Sequence, residues 1–112
     1  MEARSERKEG VVIFFVTGRL DAFGARQMDD WAREALSDDD RDLVLDLAGS
    51  PYLSSGGIRS FNSLKREMKR RNGKFALSGL GEYPKKVLEM AGFTSVFEIY
   101  PTAEEAVSDI LR

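Results

Sequence analysis

The stretch that decides the fold runs Asp42-Leu43-Val44-Leu45-Asp46-Leu47, then Gly49-Ser50-Pro51, then Tyr52-Leu53-Ser54-Ser55-Gly56-Gly57-Ile58-Arg59. The branched apolar residues ahead of Gly49, Ser50 and Pro51 read as a strand that stops at a turn. From near Gly57 the period changes. Ile58, Phe61, Leu64 and Met68 recur close to a spacing of about 3.6, which marks a helix with one apolar face. Ser54 and Ser55 therefore fall where a loop enters a helix. A serine there can cap the first free backbone N–H groups. It can also carry a phosphate, since the helix dipole and those N–H groups favour an anion.

Outward from this point the elements alternate. Lys8-Glu9-Gly10 reads as a turn between a short first strand and Val11 to Thr17, whose unbroken apolar character predicts burial on both faces. A helix begins near Phe23-Gly24-Ala25, with Met28, Trp31, Ala32, Ala35 and Leu36 along one stripe, and Asp38-Asp39-Asp40 ends it as a solvated loop. The helix after the two serines runs to about Arg71, where Asn72-Gly73 stops it. Phe75 to Ser78 is a strand. Pro84 suits the first turn of a helix bearing Val87, Leu88 and Ala91, ended by Gly92. Val96 to Ile99 reads as a last short strand. Thr102 and Glu105 form a capping box for a final helix carrying Ala106, Val107, Ile110 and Leu111.

This alternation predicts one α/β domain over residues 1–112, with a mixed, mostly parallel sheet of four to five strands, an N-terminal hairpin and about four helices. Such sheets place their sites beyond the carboxyl ends of the strands. Asp21, Asp46 and Ser55 all follow strands, so they could share that edge.

Composition narrows the chemistry. Of 112 residues, 42% are apolar and 32% charged, which fits one folded core and argues against disorder. There is no Cys, so disulfides and thiolate chemistry are out. There is no His, so the commonest general base and metal ligand is missing. The glycines form neither GxGxxG nor a Walker loop. Ser55 has no His to complete a nucleophilic triad. The reading is of a non-enzyme without a cofactor or metal. A net charge of −2 gives no general pull on nucleic acid. No apolar run approaches the roughly 20 residues of a membrane span, and residues 1–8 lack the apolar region of a signal peptide. A cytoplasmic module is expected.

The segment Asp46 to Arg59 resembles the signature of STAS domains of the anti-sigma factor antagonist type. In that family a strand end leads through an aromatic residue to Ser-Ser or Asp-Ser, small residues and a helix. Val16-Thr17-Gly18-Arg19-Leu20-Asp21 resembles its Gly-x-Leu-Asp strand end. Gly73-Lys74-Phe75-Ala76-Leu77-Ser78, Leu88-Glu89-Met90-Ala91-Gly92-Phe93 and Thr102-Ala103-Glu104-Glu105-Ala106 resemble its later elements in the same order. Aligned without gaps, the family's phosphorylated serine falls on Ser55. Ser54 stands where many members have Asp, and Gly56 where some have a second serine.

Each candidate also has a plainer role. Ser54 and Ser55 suit turns and caps by themselves. Asp21 fits a helix cap, and the resemblance brings it near the phosphorylation site. Asp46 reads equally as structural or functional. Trp31 reads as core. Arg59, Lys65, Arg66, Lys69 and Arg70, with Asn62 and Ser63, make one side of the helix basic. Such a face is solvated by default, but it could dock an acidic partner surface.

The resemblance implies an anti-sigma factor antagonist. Unphosphorylated, it would bind an anti-sigma factor with serine kinase activity, using Asp21, Ser54, Ser55, Gly56, Gly57, Arg59 and Asn62. Phosphorylation of Ser55 would switch it off, and a serine phosphatase would reverse the switch. The alternative is a non-switching scaffold subunit of a signalling or membrane-associated assembly. Neither reading sets the oligomeric state.

Overall fold

A computed structural model describes all of residues 1–112. Nine elements follow one another: β1 (Glu2–Lys8), β2 (Val11–Thr17), α1 (Ala22–Ala35), β3 (Asp42–Gly49), α2 (Ser55–Arg70), β4 (Phe75–Ser78), α3 (Glu82–Met90), β5 (Glu98–Tyr100) and α4 (Ala103–Ile110). They build a five-stranded sheet in the order β1-β2-β3-β4-β5. β1 is antiparallel to β2, and every other neighbour is parallel. The expected mixed, mostly parallel sheet with four helices is what forms. No helix is long and apolar enough to cross a membrane.

The hairpin follows from its turn residues. Glu9 (φ 51°) and Gly10 (φ 87°) both take the left-handed region, as a two-residue type I′ turn requires. Beyond it the strand order never reverses. Crossovers of one hand that step steadily across a sheet must lie on one face. The helices obey: Met28 and Ala32 of α1, Ile58, Phe61, Leu64 and Met68 of α2 and Leu88 of α3 share one core with Val12, Phe14, Leu43, Leu45 and Leu77. The opposite face is left to α4, whose Ala103, Ala106 and Val107 pack on Val11, Ile13, Val44 and Ala76. β2 is therefore buried on both sides, as its composition predicts.

Two expectations need correction. Asp38-Asp39-Asp40 is not wholly solvated, because Asp40 is 7% exposed. Its carboxylate accepts from Arg7 Nε (3.2 Å) and Nη2 (2.5 Å), and from the Ser37 backbone N–H (2.8 Å) and hydroxyl (3.0 Å). It thus ties the α1–β3 loop to β1. The last strand is shifted by about two residues toward the C-terminus, to Glu98–Tyr100. Val96 and Phe97 are apolar for packing and not for pairing. The Phe97 ring meets Phe61 edge-on (6.0 Å), Phe75 (6.2 Å) and Phe93 (6.2 Å). The Thr102 cap is as expected on one side, with Glu105 N–H donating to Thr102 Oγ1 at 3.1 Å.

Phe61 is fully buried, so Phe61→Ala should cost about 3–5 kcal/mol in chemical denaturation. A loss below about 1 kcal/mol would place the α2 core face elsewhere. Acid should act partly through Asp40. The Arg7 hydrogen bond, helped by Ser37 and opposed by burial, lowers its pKa from 3.8 to about 2. A depressed carboxylate stabilises the fold above its unfolded pKa and loses that contribution as pH falls through the folded one. Stability should therefore drop between about pH 4 and pH 2, and Asp40→Asn should flatten that drop. Glu67, lowered to about 2 by Arg70 and then Arg71, keeps the flattening incomplete. An unchanged profile in thermal melts would remove Asp40 from this role.

Candidate functional site

The site forms where the β2–α1 and β3–α2 connections run side by side. They continue the pairing of β2 with β3 past the strand ends. Gly18 N–H donates to Gly49 O (3.0 Å), Leu20 N–H to Tyr52 O (3.2 Å) and Ser54 N–H to Leu20 O (2.9 Å). Leu20 and Leu53 form a parallel bridge, and both side chains are buried. Beneath them, the buried Ser50 hydroxyl donates to Val16 O at 3.1 Å. Asp21 and Ser54, the residues just before α1 and α2, are thereby brought onto adjoining strands of backbone.

The two caps behave differently. Asp21 accepts the Gly24 N–H at 2.8 Å, so α1 is capped in the ordinary way. Ser54 stands at the N-cap of α2 but makes no side-chain cap. Its hydroxyl turns back and donates to Leu20 O at 2.8 Å. Ser55 is the first residue of α2, two positions earlier than the expected start, and is exposed. Its hydroxyl enters none of the hydrogen bonds that hold Ser50, Ser54 and Ser60. The free hydroxyl thus sits at the positive end of a helix whose first turn lacks a side-chain cap.

Gly57 permits the close approach behind this. It is buried, and a Cβ there would lie 2.3 Å from Leu53 Cδ1. Gly56 faces Ala22 at the start of α1, with 3.2 Å between an added Cβ and the Ala22 Cα. Arg59 is exposed one turn after Ser55, and Asn62 is half-buried a turn further on. Arg59, Gly56, Ser60 and Ser63 line a shallow polar groove of about 280 Å³, closed from α1 by Arg26 and Asp29. Asp21, Ser54, Ser55, Gly56 and Arg59 therefore belong to one surface, with Gly57 as its floor.

Asp46 does not join them. Strand residues alternate between faces. Leu45 and Leu47 face α1 and α2, so Asp46 faces the α4 side with Val44. There it accepts from the buried Ser78 hydroxyl (2.9 Å) and its own Ala48 N–H (3.2 Å). It is a structural acceptor within β3 and not part of the Ser55 edge. The basic side of α2 is also thinner than its sequence suggests. Lys65 donates to Val96 O, and Arg70 is engaged by Glu67 at 2.6 Å.

The structure adds aromatic residues that sequence reasoning missed. Phe23, in the first turn of α1, is 77% exposed. Tyr83 is 51% exposed and stacks on Tyr52, with ring centroids 5.7 Å apart. The Arg19 guanidinium lies 4.1 Å from the Tyr52 ring centroid. One signal was available: Phe23 falls outside the apolar stripe of its own helix. The Tyr52–Tyr83 stack joins residues 31 apart and leaves no local pattern.

Comparison with known proteins agrees with this architecture. BtrV of Bordetella bronchiseptica, named as a candidate anti-sigma factor antagonist, is 25% identical over 108 residues, covering 96% of this chain and 93% of BtrV. The crystal structure of an anti-sigma factor antagonist from Mycobacterium paratuberculosis superposes with a TM-score of 0.87 at 22% identity, covering 99% of this chain and 94% of that one. SpoIIAA of Bacillus has been solved unphosphorylated (TM-score 0.80, 18% identity, 97% of this chain and 96% of SpoIIAA). Its phosphorylated form superposes at 0.71, again at 18% identity, covering 97% and 99%. The STAS domain model matches residues 2–106, and the chain belongs to the STAS domain family.

Proposed function

We propose that this chain is an anti-sigma factor antagonist switched at Ser55. Unphosphorylated, it binds an anti-sigma factor that has serine kinase activity, and the sigma factor is released. Phosphorylation of Ser55 ends that binding, and a serine phosphatase restores it. The chain acts by binding and not by catalysis, in the cytoplasm where transcription is controlled. The observation that carries this reading is the exposed, unbonded Ser55 hydroxyl at the first position of α2, beside a Ser54 hydroxyl committed to Leu20 O. The names of BtrV and SpoIIAA, and the two forms of SpoIIAA, support it.

The chemistry of the switch is local. A phosphate adds roughly −1.5 to −2 charges. The α2 N-terminus favours an anion, and Arg59 stands one turn along the same face, where an i,i+4 pair can form. The charge is accommodated at home and opposed at an interface, where a partner surface packed on Asp21, Ser54, Gly56, Arg59 and Asn62 would have to desolvate it. Gly57 contributes by letting the two loops approach. Phe23, exposed in the first turn of α1, and Tyr83, exposed and stacked on Tyr52, would supply the apolar anchors that such an interface needs.

With the cognate kinase and ATP, Ser55 should take the label and Ser55→Ala should not. Ser55→Ala should remain folded and keep binding, and Ser55→Asp should bind more weakly. Persisting label on Ser54 in Ser55→Ala would move the acceptor by one residue. No label on the wild type, with unchanged binding by Ser55→Asp, would overturn the switch. Phe23→Ala should weaken the anti-sigma factor complex by about tenfold or more, the loss of one aromatic anchor. Its thermal melt should be unchanged, because the ring is exposed. Unaltered binding in calorimetry would show that the interface lies elsewhere.

A further inference from the structure

β1 is the longer of the two sheet edges, and its outer side is unpaired. Its seven residues compare with three in β5 at the opposite edge. Every β1 residue is exposed. An open edge of that length is a template for another strand, and proteins commonly guard it with charge. Here the charges are ordered. Glu2, Arg4, Glu6 and Lys8 alternate in sign along one face, and Ala3, Ser5 and Arg7 lie on the other.

The hairpin decides which main-chain groups are free. Lys8 and Val11 flank the two-residue turn and are paired. Residues flanking such a turn exchange hydrogen bonds, and this alternates along an antiparallel ladder. Glu2, Arg4, Glu6 and Lys8 therefore direct their N–H and C=O groups to β2. Ala3, Ser5 and Arg7 direct theirs outward. A second strand must pair odd-numbered residues with its own outward-facing set.

We propose that this edge pairs with β1 of a second copy, antiparallel about a two-fold axis through Ser5, joining two sheets into one. In that register the two Ser5 residues exchange hydrogen bonds, and so do Ala3 and Arg7. Arg4 then lies opposite Glu6 of the second copy, and Glu2 opposite its Lys8. These are the non-hydrogen-bonded positions, where side chains approach most closely. Each pairing is of opposite charge, and symmetry makes it twice. Sliding one strand by two residues either way places Arg4 on Arg4 and Glu2 on Glu6, or Glu6 on Glu6 and Arg4 on Lys8. The sequence thus matches itself in the full-length register and repels itself in the adjacent ones.

The surroundings are compatible. On the α1 side, Ala3 and Ser5 are small and border a groove of about 400 Å³ with Phe14, Trp31 and Ala35. Trp31 is only half-buried. The two-fold axis would set both grooves along one seam and cover that apolar surface. Arg7 is already held away from the edge by Asp40 and the Ala35 carbonyl. The contact is isologous and closed, so it stops at two copies. Ser55 lies at the end of α2 and not on this edge, which leaves both Ser55 surfaces open.

Sedimentation velocity across a concentration series tests the proposal on the whole chain. The wild type should pass from monomer to dimer as concentration rises, and added salt should weaken the dimer. Arg4→Glu alone and Glu6→Arg alone should each raise the dimer dissociation constant by about tenfold, since each turns two attractive pairs repulsive. An equimolar mixture of these two variants should form a heterodimer, because each supplies the sign the other lacks. Ser5→Pro removes an outward N–H that the monomer does not use, so it should keep the wild-type thermal melt and lose the dimer. A wild type that stays monomeric at the highest soluble concentration would overturn the proposal, as would an edge that pairs only with another protein's strand. A dimer indifferent to both Ser5→Pro and the charge reversals would also overturn it.

Discussion

One carbonyl oxygen, that of Leu20, holds the functional edge together. It accepts the Ser54 N–H at 2.9 Å and the Ser54 hydroxyl at 2.8 Å, which uses both of its lone pairs. The β2–α1 and β3–α2 connections are thereby locked in register just above the sheet. The lock also determines the chemistry. A serine at an N-cap ordinarily turns its oxygen toward the helix. Ser54 turns away instead, so the first turn of α2 keeps unsatisfied donors and the next residue inherits the anion-favouring position. The bound hydroxyl of Ser54 thus sits beside an unbonded one on Ser55.

The remaining asymmetry comes from the order of the strands. Because β2 to β5 step in one direction, α1, α2 and α3 must share a face, and that face holds the large core around Phe61 and Met68. The other face has only α4. Asp46 is on this thinner side, where it serves the ladder through Ser78 and Ala48. β1, added by the hairpin, lies at the margin of the helical layers, touched by α1 through Arg7 and otherwise exposed along its length. The same topology that concentrates the Ser55 surface at one end leaves a bare strand at one edge.

Much of this was legible because it is local. The switch from branched residues at Leu43–Leu47 to helical spacing at Ile58–Met68 marks β3, the turn and α2 without tertiary information. The choice of Ser55 over Ser54 as phosphoacceptor rests on resemblance to a known pattern and belongs to the proposal, since turn chemistry alone does not separate them. What escaped the sequence depends on contacts between distant segments. Asp40 looked like one of three solvated acids until Arg7 crossed from β1 to meet it. Val96-Phe97 looked like strand until three aromatic rings claimed Phe97 for the core. Asp46 was misplaced for a subtler reason. β3 runs on to Gly49, so Asp46 lies inside the strand and not at its end, and the pleat assigns it the opposite face.

The two ends of α2 bear on the switch proposed at Ser55, where an added charge would act on a surface held in place from both sides. At the N-terminal end, Leu20 O and the glycine floor leave no slack between α2 and its neighbour. At the C-terminal end, Arg71 donates to Glu67 (2.8 Å) and to the Ser37 and Asp40 carbonyls (2.8 Å each), tying the helix to the α1–β3 loop. Gly73 closes behind it so tightly that an added Cβ would meet the Arg41 carbonyl oxygen at 1.6 Å. Between these anchors Ile58, Phe61, Leu64 and Met68 are buried in a packed core. Packed cores deform little, and contacts at both ends oppose a shift of α2. The phosphate proposed for its first residue would be compensated by the helix terminus and by Arg59 one turn along. In the proposed switch its effect would fall on what approaches from outside. That is the physical condition for a binding switch that works by changing what the surface will accept.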